Sequence, residues 1–187
     1  HSGSLAIRAA VSANVNITFK ILYNDAVAMT GGQKAIGGAT PWAISKQLSA
    51  EGVKKIYVVS DEPEQFQETR LFADGVEIYH RDDLLKVQKE VRIIEGVTAI
   101  IYVQTCATEL RRRRKRGLVA DREIKMFINP DVCEGCGDCA EKSNCVAVKP
   151  FDHFDGTKRQ IDQSVCNKDY SCTKGFCPSF MGVTLDK

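Results

Sequence analysis

The sequence predicts an α/β fold, an open and mostly parallel sheet followed by a small α+β module, and three observations carry that prediction. Continuous apolar runs at residues 56–59 and 97–103 have the pattern of strands covered on both faces. Segments of helical periodicity lie between such runs, so strand and helix alternate. Seven of the eight cysteines fall after position 132, which sets a cysteine module apart from the first part of the chain.

Residues 4–11 suit a helix. Residues 16–23, with Ile17, Phe19, Ile21 and Leu22, suit a buried strand that ends in a Gly-rich loop, Gly31-Gly32 to Gly37-Gly38. Thr40 is an N-cap with Pro41 at the first helical position, Trp42, Ile44 and Leu48 supply an apolar face, and Gly52 stops the helix. A strand follows at 55–60. A second unit pairs a short strand at 76–80 with a helix at 82–95, whose Leu84, Val87, Val91 and Ile94 recur at helical spacing, and closes on the strand 97–103. Trp42 reads as core, His80 and His153 as surface, and Cys106 as a small core residue at a strand end.

The six consecutive cations Arg111–Arg116 predict a solvated, self-repelling linker, giving units of 1–108, 109–124 and 125–187. Two sharper readings of the run are a nucleic-acid patch, which the absence of interleaved aromatics disfavours, and a docking surface for an acidic electron carrier or a neighbouring subunit. A net charge of +2 over 187 residues exerts no global pull on nucleic acid or membrane. No apolar stretch approaches the roughly 20 residues of a membrane span, so the chain reads as soluble and cytoplasmic. Its opening, His1-Ser2-Gly3-Ser4 without an initiator Met, reads as cut from a longer protein.

The chemistry lies in Cys133-Glu134-Gly135-Cys136-Gly137-Asp138-Cys139, a C-x2-C-x2-C loop. Three thiolates within seven residues suit one corner of an iron–sulfur cube. Zinc usually takes two separated C-x2-C pairs, and three independent disulfides cannot start from thiols this close. Offset by 33 positions, Phe127-Ile128-Asn129-Pro130-Asp131-Val132-Cys133 lies over Gln160-Ile161-Asp162-Gln163-Ser164-Val165-Cys166. The same offset puts Cys139 on Cys172 and Cys136 on Asp169, so the second loop is C-x2-D-x2-C.

This duplication resembles the two-cluster bacterial ferredoxins, whose halves exchange their fourth ligands. The resemblance implies one [4Fe–4S] cluster held by Cys133, Cys136, Cys139 and Cys177, the last followed by Pro178. A second centre would take Cys145, Cys166 and Cys172. Asp169 would supply a carboxylate or leave the fourth iron open, as a labile [4Fe–4S] or a [3Fe–4S] centre. The spacing from Cys139 to Cys145 and the Val146 that follows depart from the ferredoxin pattern.

Tyr23-Asn24-Asp25-Ala26-Val27-Ala28-Met29-Thr30-Gly31-Gly32-Gln33 sits at the carboxyl end of the first strand, where open α/β sheets bind ligands. Taken alone it is equally an ordinary turn. Together with Asn14-Val15-Asn16-Ile17-Thr18, Thr105-Cys106 and the arginine run, the cysteine loop and Gly175-Phe176-Cys177-Pro178-Ser179-Phe180, it resembles the 2-oxoacid:ferredoxin oxidoreductases, in the branch acting on aryl 2-oxoacids such as indolepyruvate. The resemblance implies that residues 1–108 are the C-terminal part of a thiamine-diphosphate domain and 125–187 a ferredoxin-like module. It implies that Asn24, by its side chain, and Ala26, by its carbonyl, ligate Mg2+, and that Met29, Thr30 and Gly31 lie against the cofactor. It also implies electron delivery to ferredoxin, product release by coenzyme A, a homo-oligomer, and further N-terminal domains. Among these are the family's Gly-Asp-Gly metal ligand and its cofactor-activating glutamate, without which the 187 residues alone are expected to be inactive. The competing reading is a two-cluster electron carrier joined to a structural α/β domain.

Overall fold

The structure, a computed structural model, describes residues 3–24, 26, 40–66 and 68–184. The chain divides into two compact units, His1–Glu109 and Leu110–Lys187. The first contains α1 (Gly3–Ser12), β1 (Ile17–Tyr23), α2 (Pro41–Ala50), β2 (Lys55–Ser60), β3 (Glu77–His80), α3 (Leu84–Val91) and β4 (Val97–Val103). Its four strands form an all-parallel sheet in the order β1-β4-β2-β3.

The central strands β2 and β4 explain why the apolar runs are continuous rather than alternating. Ile56, Val58, Ala99 and Ile101 point to one face, where Ile7 of α1 and Leu48 of α2 cover them. Tyr57, Val59 and Ile100 point to the other, against Val87 and Val91 of α3. Both faces are therefore dry, and each fully buried Val or Ile contributes about 1.5–3 kcal/mol. Helix α2 begins as its sequence dictates: the Thr40 hydroxyl accepts the Ala43 N–H at 3.3 Å and Pro41 occupies the first turn. Gly52 follows with φ +91°, a backbone shape that non-Gly residues rarely adopt. Ser45, wholly buried, donates to the Trp42 carbonyl at 2.8 Å and accepts the Ala73 N–H at 3.0 Å, which anchors the loop bearing Phe66 and Phe72.

The structure departs from the sequence reading in four places here. Helix α3 is shorter than 82–95: a 3-10 turn, Arg81–Asp83, precedes it, and tight bonds from Ile93 to Glu90 and from Ile94 to Val91 end it ahead of Gly96, which has φ +97°. Strand β1 is half-exposed rather than buried, with Leu22 at 77% exposure, because β4 is its sole neighbour among the described strands. Trp42 is half-buried at the edge of the core, its ring edge-on to Phe72 at 6.4 Å. Cys106 lies past the end of β4 and is half-buried.

In the second unit β5 (Ile124–Ile128) pairs antiparallel with β8 (Phe180–Thr184), and β6 (Val148–His153) with β7 (Gly156–Ile161). The short helix α5 (Asp138–Ser143) follows the first cysteine loop. A small core of Ile128, Ala147, Val148 and Ile161 also takes in Cys133 and Cys172. His153, read as a surface residue, has a side chain only 13% exposed; its ring contacts Asp155 at 2.6 Å and Asp131 at 3.4 Å.

The arginine run also differs from expectation. It forms most of helix α4 (Ala107–Lys115), and Arg111 to Arg114 are half-buried rather than solvated. Guanidinium groups tolerate this because they keep their charge while donating to backbone carbonyls.

Two predictions follow from these contacts. Ile101→Ala, at a fully buried site, is expected to lower stability by about 2–5 kcal/mol in denaturant unfolding, against within about 0.5 kcal/mol for the exposed Ile93→Ala. Asp162 accepts from Lys149 at 2.5 Å and from the Ser164 hydroxyl and N–H, which hold its carboxyl down from 3.8 to about 2. A depressed carboxylate stabilises the fold fully above its ordinary range and loses that contribution as pH falls toward the folded value. Thermal unfolding of Asp162→Asn across pH 4 to 2 is therefore expected to decline less steeply than that of the unaltered protein.

Candidate metal centre

The duplication seen in the sequence is reproduced atom for atom in the turns of the second unit. Asn129 Oδ1 accepts the Asp131 N–H at 3.0 Å, and at the equivalent place Asp162 Oδ1 accepts the Ser164 N–H at 2.9 Å. The Gly135 N–H donates to Cys133 Sγ at 3.4 Å, and the Lys168 N–H to Cys166 Sγ at 3.4 Å. Gly135 and Gly137 have φ of +71° and +86°; their counterparts Lys168 and Tyr170 have +53° and +58°. Left-handed turns at both positions aim backbone N–H groups inward, as an anionic sulfur site requires.

Strand pairing follows the same pseudo-twofold rule with an exchange. The first strand of each half pairs with the last strand of the other, β5 with β8 and β7 with β6. Matching bonds accompany the pairs: the Asn129 N–H donates to the Ser179 carbonyl and the Asp162 N–H to the Ala147 carbonyl, both at 2.8 Å. Segment 177–179 of the second half thereby returns to the first loop, and segment 145–147 of the first half to the second.

The consequence is a cavity of about 380 Å³ lined by Cys133, Cys136, Cys139 and Cys177, with Lys142 and Arg159 among its other walls. Cys133 is buried, Cys139 and Cys177 half-buried, and Cys136 exposed. Burial raises the Cys139 thiol above its ordinary range, and the thiolates of Cys133 and Cys136 push the same way. Arg159 Nε is buried and has no hydrogen-bond partner among the described residues. Gly135 is pinned against the facing hairpin, since a Cβ there would stand 2.4 Å from the Thr157 carbonyl oxygen.

The second loop gathers its own set. Burial pushes the Cys172 thiol up to about 11, and repulsion from the thiolates of Cys145 and Cys166, with a smaller push from Asp169, acts in the same direction. Asp169 Oδ1 accepts both the N–H and the hydroxyl of Ser171, at 3.2 and 3.0 Å. Its carboxylate is thus steered by the turn it begins. The long spacing from Cys139 to Cys145 is taken up by α5 and by Asn144, which ends the helix in a left-handed turn.

Among the described residues no three His, Cys, Asp or Glu side chains are arranged to hold a single metal ion. A cube does not need such convergence, because each thiolate binds a different iron at a separate corner. Thiols that repel one another around a cavity fit a cationic iron–sulfur core, and Lys142 and Arg159 in its walls, beside Glu134 and Asp138, offset part of the negative charge that four thiolates bring. That donor set also fits it better than zinc, which draws its ligands to one point.

Of the strand-end residues, Asn24 and Ala26 are described: Asn24 Oδ1 accepts the Ala26 N–H at 3.2 Å just past the end of β1. One lone pair of that oxygen is committed to the turn and one is left for a cation, so Asn24 fits a hard metal. Met29, Thr30 and Gly31 lie outside the described residues. What the sequence reading missed is the pairing of Arg111 and Arg114 with the second cysteine loop: Arg111 donates to the Val165 carbonyl at 2.8 Å, and Arg114 to that of Asn167. A signal was present in their spacing of three, which places both on one helix face.

Comparison with known proteins places this geometry in context. The chain is 26% identical over 180 residues to the indolepyruvate oxidoreductase subunit IorA of Thermococcus kodakarensis, covering 95% of this chain and 25% of the relative. The Pyrococcus abyssi subunit of the same name is 26% identical over 185 residues. That of Archaeoglobus fulgidus is 30% identical over 108 residues, 58% of this chain and 16% of the relative. No family model and no solved structure matches. The chain spans about a quarter of the length of the archaeal subunits it matches along nearly its whole extent. The resemblance expected from its cysteine loops and strand-end motif is therefore present, and this chain is similar to the IorA subunits of indolepyruvate oxidoreductases.

Proposed function

We propose that this chain is part of an indolepyruvate oxidoreductase, in which the second unit relays electrons through iron–sulfur centres and the end of β1 contributes to a thiamine-diphosphate site. The observation that supports it most is the exchange of strands between the two halves, which returns Cys177 to the loop of Cys133, Cys136 and Cys139. In this reading those four thiolates hold a [4Fe–4S] cluster, and Cys145, Cys166 and Cys172, with Asp169, hold a second centre that is labile or three-iron.

Thiamine diphosphate with Mg2+ would supply the carbanion chemistry that decarboxylates the 2-oxoacid, and the clusters would accept its electrons singly. The chain's own residues bind and orient. Asn24 fixes its amide oxygen through the Ala26 N–H and offers the remaining lone pair to the cation, while Ala26 offers its carbonyl. Met29, Thr30 and Gly31, outside the described residues, would contact the cofactor in this reading. The Gly135 and Lys168 N–H groups donate to cysteine sulfur, which lowers the negative charge each thiolate presents and favours the reduced state. Core residues around Cys133 and Cys172 shield these two ligands from water.

Ferredoxin is the proposed electron acceptor and coenzyme A the proposed acyl acceptor, in the cytoplasm and within a larger homo-oligomeric assembly that supplies the further N-terminal domains of the family. The 187 residues alone are proposed to be inactive. No helix among the described residues is long and apolar enough to cross a membrane.

Anaerobic reconstitution of the full-length protein, with iron and sulfide analysis and EPR before and after indolepyruvate and coenzyme A, tests the proposal. The expected outcome is two centres per chain and substrate-dependent reduction; cluster signals without thiamine-dependent reduction would favour a plain electron carrier. Gly135→Ala places a Cβ against the Thr157 carbonyl and a side chain at φ +71°, so it is expected to remove the first cluster's iron and leave the second. Asp169→Cys completes a four-thiolate set, and should replace any three-iron EPR signal with that of a [4Fe–4S] centre.

A further inference from the structure

The second cysteine loop is held by a pair of cations that belong to no metal-ligand set. Arg111 and Arg114 are one turn apart on α4. Arg111 donates to the carbonyl of Val165 and Arg114 to that of Asn167, the two residues flanking Cys166. Both guanidinium groups are part-buried at these contacts. Among the described residues Arg114 Nε and Asn167 Oδ1, both buried, have no hydrogen-bond partner, so the second arginine is drawn into the loop although its own bonding there is incomplete. A buried donor left unmatched costs stability, a penalty that a purely structural clamp would not need.

The other charges around this loop do not duplicate the pair. Lys168 is engaged with Asp121 at 2.5 Å, and Tyr170 carries Arg122 over its ring at 5.0 Å. Asp169 is the one carboxylate of the loop itself, and it is turned toward Ser171. Arg111 and Arg114 are therefore the cations joined directly to the backbone on either side of a cysteine.

We propose that Arg111 and Arg114 are positioning residues for the second iron–sulfur centre, which clamp the Cys166 loop and raise the reduction potential of the centre it holds. This rests on the reading of Cys145, Cys166 and Cys172 as ligands. Reduction adds one electron to a group already surrounded by thiolates. A guanidinium keeps its positive charge at every accessible pH, and part burial limits its screening by water, so the added electron is stabilised. By donating to the two carbonyls, the arginines also partly neutralise the negative ends of the dipoles on the residues that flank Cys166.

The test uses full-length protein, purified and reconstituted anaerobically, with an EPR-monitored redox titration and an iron count for each variant. In the double variant Arg111→Gln with Arg114→Gln, the reduced-to-oxidised ratio of the second centre at a fixed potential is expected to fall at least about tenfold. That corresponds to about 59 mV for a one-electron couple. The first centre, held by Cys133, Cys136, Cys139 and Cys177, should not move. Arg111→Lys with Arg114→Lys keeps the charge and should return the potential toward that of the unaltered protein. A full iron content with an unshifted second centre in the Gln variant overturns the proposal. If the Gln variant loses the second centre's iron, the Lys variant decides: iron retained at the original potential supports the proposal, and iron lost or a shifted potential overturns it. Iron for only one centre in the unaltered protein would instead overturn the second-centre reading itself, and the proposal with it.

Discussion

A loop of seven residues that offers three side chains, thiols or a carboxylate, to one object must turn its backbone inward twice. In each cysteine loop of this chain that constraint is met by two left-handed residues, one after the first thiol and one before the last. The first loop uses Gly135 and Gly137, for which the conformation carries no Cβ penalty. The second uses Lys168 and Tyr170, and a non-Gly residue in this region costs about 1–2 kcal/mol. Neighbouring contacts offset that cost: Lys168 reaches Asp121 and the Arg122 carbonyl, and the Tyr170 hydroxyl donates to the Ile124 carbonyl. The glycine loop is stable by its own geometry, whereas its copy is held from outside, by these bonds and by the two arginines of α4.

Much of the architecture was legible in the sequence because burial leaves a periodic trace. The continuous runs in β2 and β4 required helices on both faces, and helices are there. Thr40-Pro41 fixed the start of α2 through a hydroxyl and a preset φ, both local properties. The offset of 33 positions was readable because Asn129 and Asp162 build the same side-chain turn, and a turn of that kind needs the same residue class in both copies.

Non-local features left no such trace. The half-exposed face of β1 depends on which strands flank it, and neither Leu22 nor Ile17 encodes its neighbours. His153 found its two carboxylates through hairpin geometry and the return of the chain to Asp131. The arginine run was misread for a related reason: charge density along the sequence predicts solvation, but the bonds of Arg111 and Arg114 are to carbonyls more than fifty residues away. At the strand end, Asn24 makes a local turn, and such a turn carries no mark that tells a plain turn residue from one able to meet a cation.

The exchange of strands between halves has a consequence for the order of events in the cell. Ile124 opens the module and pairs with Thr184 near its other end. Neither loop can be closed by the half that contains it, since Cys177 and Cys145 each arrive on the opposite half. A ribosome synthesising this chain releases the first unit, with its nearer strand partners, long before β8 emerges. The module therefore remains open until β8 is made, and only then can both cysteine loops meet the residue that the other half brings to each.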